Sequence, residues 1–353
     1  EVTADERARF ASVRRVNPQA HDAYLRGRYY WNKRTPDNLQ KAISYFQGAL
    51  EIDPAYALAY AGIADCYSVL GSWEVGALAP RDAFPRAKAA AQKALEIDST
   101  LGEAYASLAF ARHNYDWDWD GADRLYQRAL QLNPNYATGH HWYSHYLTGM
   151  GRTNESHAEA LRALELDPLD LITNVHLGWH YLYAGDIDRA IAQFRIPREM
   201  DPNWMGSHFY LGWAYAERGN HGDAIVELQT AVKLLKGAPW GLTMLGYAYA
   251  KAGKRAEARQ IIVRLTTLAK ERYVSSYEIA AIYVGLGEKE SAFQWLSRAY
   301  EERSGWLPYV NVEPRLKPLH SDPRFQELVG KVGLPSASAG RIASNGVTPS
   351  VQP

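Results

Sequence analysis

Two pairs of histidines are the residues best placed to do chemistry. His141 and His145 stand four positions apart, and His176 and His180 repeat that spacing further along. On a helix, residues four apart share one face, so each pair presents two imidazoles together, as two-histidine metal sites do. Neither "HHWYSHYL" nor "HLGWH" contains the Glu of HExxH, and no Glu, Asp or Cys completes a ligand set at a recognisable interval. No metal and no cofactor are therefore expected. "DWDWD", residues 116 to 120, offers three carboxylates in five residues, but "DWDWDGADRLYQ" lacks the closing Glu of a calcium loop. Asp118 or Asp120 is expected instead to cap a following helix, with Trp117 and Trp119 packed into the turn.

Signatures of catalysis are missing. There is no GxSxG and no GxxxxGK[ST], and "GYAYAKAGK" has the wrong spacing for a phosphate loop. Cys66, the single cysteine, excludes an internal disulfide and a thiolate cluster and reads as a small packed residue. "NES" at Asn154 is a glycosylation sequon in a turn. No catalytic residue is assigned, and the chain is not expected to be an enzyme.

The elements that must carry these residues show themselves through a period. Gly151, Gly185, Gly219, Gly253 and Gly287 fall 34 residues apart, as do Tyr181, Tyr215, Tyr249 and Tyr283. Ala190, Ala224, Ala258 and Ala292 keep the interval, and so do Pro134, Pro168 and Pro202. Segments such as "SHFYLGWAYAERG" and "GDAIVELQTAVKLL" place apolar residues at helical spacing, two amphipathic helices per unit. The Gly ends the first helix in a left-handed turn. The Ala lets helices approach closely beside the larger Tyr, and Asp-Pro or Asn-Pro ends the second helix. One unit cannot bury its own apolar face, so neighbours must stack. Pro197 breaks the pattern where a small Ala is usual, and predicts a kink or an early end to its helix.

Charge and composition limit the partners. The 39 basic and 39 acidic side chains cancel, which removes the basic footprint of a nucleic-acid or membrane-surface binder, so neither partner is expected for this segment. The sequence has no apolar run long enough to span a bilayer and no signal-peptide pattern at its start. A soluble chain is expected, and its oligomeric state is open.

These residues resemble the tetratricopeptide repeat. Five consecutive units, residues 137 to 306, hold the register, and three looser ones precede them, with eleven extra residues around "SWEVGALAPRDAFPR" in the second. The resemblance implies an all-α, right-handed superhelical solenoid of about eight helix-turn-helix units. These fall near 20–56, 57–101, 102–136, 137–170, 171–204, 205–238, 239–272 and 273–306. A lead-in over 1–19, a C-terminal cap over 307–334 with its helix near 322 to 331, and a disordered Ser/Gly/Ala/Pro-rich tail over 335–353 complete the expected organisation. The wording of "YLRGRYYWNKRT", "YDWDWDGAD", "HHWYSHYL", "EERSGWLPYV" and "SDPRFQELVGKVGLP" is similar to the C-terminal repeat region of bacterial multidomain signalling proteins. In those, a winged-helix or Ser/Thr kinase domain precedes the repeats. The compartment, bacterial cytoplasm or periplasm, is left open.

The same resemblance implies that first helices line a concave groove. Its face would carry His141, His145, Trp179, Phe209, Trp213, Trp240, Tyr247 and Tyr277, an aromatic band suited to anchoring a protein or peptide partner. The band does not match the repeat variant that clamps a terminal carboxylate, which needs Lys and Asn; Asn114 and Lys251 alone do not make it. Two other readings stand beside it: the rings pack the solenoid, or the cavity senses a small molecule, which a pocket closed by the insertion of the second unit would favour.

Overall fold

The computed structural model describes residues 17–335. The expected lead-in, up to residue 16, and the expected disordered tail, from residue 336, lie outside the described residues. Within them the secondary structure is helical throughout.

Eight antiparallel pairs follow one another: α1 Pro18–Trp31 with α2 Pro36–Ile52, α3 Ala57–Gly71 with α4 Pro80–Ile97, and α5 Gly102–Ala111 with α6 Trp119–Leu132. Then come α7 Ala137–Gly149 with α8 Thr153–Leu166, α9 Leu171–Tyr183 with α10 Ile187–Met200, and α11 Met205–Arg218 with α12 His221–Leu234. The last pairs are α13 Pro239–Lys251 with α14 Arg255–Leu268 and α15 Ser276–Gly285 with α16 Lys289–Glu301. Two short 3₁₀ turns, Leu307–Tyr309 and Pro314–Leu319, lead to α17, Pro323–Val332. No described helix is long and apolar enough to cross a membrane.

The periodic residues do the work their types suggest. The five spaced glycines have φ between +73° and +91°, the left-handed region in which a Cβ is strained. Second helices α2, α6, α8 and α10 stop at Asp53, Asn133, Asp167 and Asp201, each one residue before a proline. Ala190, Ala224, Ala258 and Ala292 are fully buried. Facing them, Gly178 and Gly212 leave room for Phe194 and Leu228; an added Cβ would lie 2.4 and 2.5 Å from those side chains. Each first helix packs on its own partner, on the preceding second helix and on the neighbouring first helices, so first helices form the inner wall.

Two local irregularities have clear causes. The third unit, 102–136, is one residue longer than the 34-residue period, and a π-helical turn, Arg112–Asp116, ended by Trp117 at φ +58°, takes up the extra residue. Asp118 then caps α6 by accepting from the Gly121 N–H, as expected. Helix α10 does not end at Pro197 but continues to Met200, where Asp201 N–H donates to the Pro197 carbonyl. Proline withdraws only the bond to the Gln193 carbonyl, and the helix carries on past it.

The array also bends back on itself. Trp119 Nε1 donates to the Val332 carbonyl at 3.2 Å, and Arg303 Nη1 donates to the Tyr115 carbonyl at 2.7 Å. Helix α17 and the turn after α16 thereby reach the third unit, across more than 180 residues of sequence.

Candidate functional site

First helices place the eight expected residues on the inner wall: His141 and His145 on α7, Trp179 on α9, Phe209 and Trp213 on α11, Trp240 and Tyr247 on α13, Tyr277 on α15. The structure brings them into one region but not into an open groove, and their burial favours the reading in which the rings pack the solenoid. The chain fills its own groove. From the insertion of the second unit, Trp73 stacks on Trp179 at 5.0 Å between ring centroids and meets Trp306 at 4.9 Å. From the segment after α16, Trp306 lies 6.0 Å from Trp213 and stacks on Tyr277 at 6.1 Å, while Tyr309 lies edge-on to Trp179 at 5.1 Å. All of these rings are buried. The resemblance implied where the rings point, but not that a non-repeating segment would occupy the space between them.

A buried ionic knot fixes that segment. Arg315 forks onto Glu278 of α15 at 2.9 and 3.0 Å and onto Glu313 at 3.0 Å, with its guanidinium 4.6 Å from the Trp213 ring centroid. Burial disfavours the Arg315 cation, but Glu278 and Glu313 outweigh it and hold its pKa raised. Tyr183 also donates to Glu313, at the Oε2 that accepts from Arg315 Nη2. Sequence reasoning missed Arg315, Glu278 and Glu313, because nothing in the 34-residue frame marks them.

What remains open lies at the edge of the filled groove. A cleft of about 630 Å³ runs between the turn after α1 and the start of α9, with Arg28, Lys33 and Arg34 on one side and Asp167 and Asp170 on the other. His141 and the strongly exposed Leu169 also line it. A smaller cavity of about 40 Å³ adjoins it, the two sharing Arg34, Ile172 and Trp204. Trp73, His176, Phe209 and Trp240 line the smaller one, with Glu74 and Glu278. Of the eight expected residues, then, His141, Phe209 and Trp240 reach a cavity, and the other five sit behind Trp73, Trp306, Tyr309 and Arg315. Charge is managed within the wall: Arg34 pairs with Glu74 at 3.0 Å, and Arg28 pairs with Asp65 at 2.9 Å.

The histidines meet across units. His141 Nε2 lies 2.7 Å from His176 Nδ1, His145 Nε2 lies 3.1 Å from the same atom, and His145 Nδ1 lies 3.1 Å from His180 Nε2. Burial pushes His141 down to about 3 and, with the neighbouring imidazoles, holds His145, His176 and His180 well below the usual value. All four rings are neutral at physiological pH. Cys66 is buried, and burial raises its thiol pKa, so it is a packing residue rather than a nucleophile.

A stack of eight antiparallel helical pairs with a concave inner wall is a tetratricopeptide-repeat solenoid, the fold of a protein–protein interaction scaffold. Residues 175–239 match the family profile described as tetratricopeptide repeat. Among individual proteins, the chain is similar to the transcriptional regulator HilA of Salmonella typhimurium, 27% identical over 168 residues, which are 48% of this chain and 30% of that protein. The chain thus spans under a third of the curated relatives it matches. Of solved structures, yeast Tom70 is similar over 94% of this chain and 70% of that one, with 14% identity and a TM-score of 0.52. A human IFIT1 dimer with PPP-AAAA is similar over 75% and 68%, with 17% identity and a TM-score of 0.55. At these identities the likeness is one of fold.

Proposed function

We propose that this chain is a non-enzymatic docking module of a bacterial regulatory protein, and that it holds a segment of a protein partner in the cleft beside its filled groove. The observation that carries the reading is the cleft itself: cations of the first unit and acidic residues at the end of the fourth line a space of about 630 Å³, with an aromatic recess at one end. An extended segment with a charged stretch and one apolar anchor suits that surface. The similarity to a transcriptional regulator supports a regulatory setting. The five sealed aromatic residues take part only if residues 304 to 319 leave the groove.

Site-specific photo-crosslinking in bacterial cells tests it. A crosslinker at Leu169, which lines the cleft, is expected to trap a polypeptide adduct that the same probe at Val263, exposed on outer helix α14, does not. Equal adducts at both positions would remove the cleft from consideration.

One observation favours a second reading, small-molecule sensing. The insertion of the second unit closes the smaller cavity through Trp73, Glu74 and Val75. Here the Leu169 probe would trap no polypeptide, and cell extract freed of protein would raise the unfolding temperature of the native chain but not of a Trp240→Ala variant.

A further inference from the structure

Histidines elsewhere on the inner wall show what a structural histidine looks like in this fold. His140 sets Nδ1 on Glu159 and Nε2 3.0 Å from the Pro134 carbonyl. Two units on, His208 repeats this with Glu227 and the Pro202 carbonyl, again at 3.0 Å. In each, a carboxylate and a carbonyl use up both ring nitrogens. His141, His145, His176 and His180 depart from that pattern, since their ring nitrogens meet one another and the Tyr210 hydroxyl.

Their nitrogens also converge. One ring nitrogen from each of His141, His145 and His176 lies within 4.8 Å of the other two, and all three residues are buried. We propose that His141, His145 and His176 form a three-imidazole site for a divalent transition cation of borderline softness, with Zn²⁺ as its type. Zn–N bonds of about 2.0–2.1 Å in tetrahedral geometry put ligand nitrogens roughly 3.3 Å apart. The separations of 2.7 and 3.1 Å reach that value if the rings part by about 0.6 and 0.2 Å.

The surroundings suit the assignment. His176 Nε2 lies 3.0 Å from the Tyr210 hydroxyl, and His145 Nδ1 lies 3.1 Å from His180 Nε2. If these nitrogens carry the protons, His176 Nδ1 and His145 Nε2 are free to bind, the outer-layer arrangement that orients metal-bound imidazoles. His180 Nδ1 is buried with no hydrogen-bond partner among the described residues, so the cluster is not a closed hydrogen-bonded network. An all-nitrogen set favours Zn²⁺, Ni²⁺ or Cu²⁺ over Mg²⁺ or Ca²⁺. His141 lines the larger cleft, which gives a cation a way in from solvent.

The test uses the untagged chain, stripped with chelator, desalted and titrated with Zn²⁺ or Co²⁺. One Zn²⁺ per chain is expected, together with the strong visible absorption of four-coordinate Co²⁺. His145→Gln and His176→Gln should each weaken Zn²⁺ binding at least tenfold, and His21→Gln, an exposed control, should leave it unchanged. Tyr210→Phe, which removes only an outer partner, should keep the stoichiometry and weaken binding about tenfold. Zn²⁺ retained equally by a His141→Gln/His145→Gln/His176→Gln variant would overturn the proposal. So would the faint spectrum of six-coordinate Co²⁺, or no spectral change, in the native chain, and this readout needs no variant to fold.

Discussion

Replacing Arg315 with Met keeps much of the side chain's length and removes the one cation between Glu278 and Glu313. Arg315 is 1% exposed, Glu278 4% and Glu313 0%, so both carboxyl groups would be left buried without their cation. Removing one partner of a buried ion pair costs about 3–5 kcal/mol, and loss of the stack on Trp213 adds about 1 kcal/mol. The expected loss is therefore about 4–6 kcal/mol, read as a lower urea midpoint by circular dichroism. Arg315→Met/Glu278→Gln/Glu313→Gln should recover part of it, because neutral amides are less costly to bury. A second readout separates local from global effects. Residues 304 to 319 hold their place through this knot, so limited proteolysis of Arg315→Met should cut there well before the repeats unfold. A loss below about 1 kcal/mol, or a triple variant no better than the single one, would refute the claim that the knot anchors the segment.

Four further outcomes follow from the geometry. Trp73→Ala should lose about 3–5 kcal/mol, since Trp73 fills the space between Trp179, Trp306 and Tyr309; urea unfolding checks it, and a change under about 1 kcal/mol would mean the ring is not a plug. Gly149→Ala should lose about 1–3 kcal/mol and make residues 304 to 319 easier to proteolyse, because the new Cβ would lie 2.7 Å from the Pro308 carbonyl oxygen. Burial raises Asp65 to about 6 although Arg28 and Ser107 pull it down, so between pH 4 and 6 the folded chain holds a proton that the unfolded chain, with a value near 3.8, releases. Its contribution is fully present below pH 4 and declines by about 3 kcal/mol as pH rises through 6; the stability difference between the native chain and Asp65→Asn should trace that fall, and a flat difference would contradict it. In the cells used for crosslinking, Lys33→Glu should weaken the adduct at Leu169, as this exposed cation lines the same cleft, and an unchanged adduct would contradict it.

The repeating part of the molecule was legible because it is local. A left-handed Gly at position 185, a buried Ala at 190 and a helix stop before Pro202 each answer a need met within one unit or its neighbour, so a 34-residue frame exposes them all. The inward direction of Trp179, Trp213, Tyr247 and Tyr277 came from the family resemblance laid on that frame. It was silent on whether they meet solvent, because their covers come from outside the period. Trp73 belongs to an insertion, Trp306 and Tyr309 to a segment with no repeat, and their ring contacts with one another and with the wall span up to about 230 residues. The histidines show the same division from the other side. A four-residue spacing on α7 and on α9 was visible, yet no ligand set closed within either helix. The third nitrogen comes from the equivalent helix one unit on, 35 residues from His141 and 31 from His145. In a solenoid the neighbour across a site is one period away, so incomplete motifs in successive units have to be read together. Two half-sites dismissed singly become one candidate site once the stacking of α7 on α9 is taken into account.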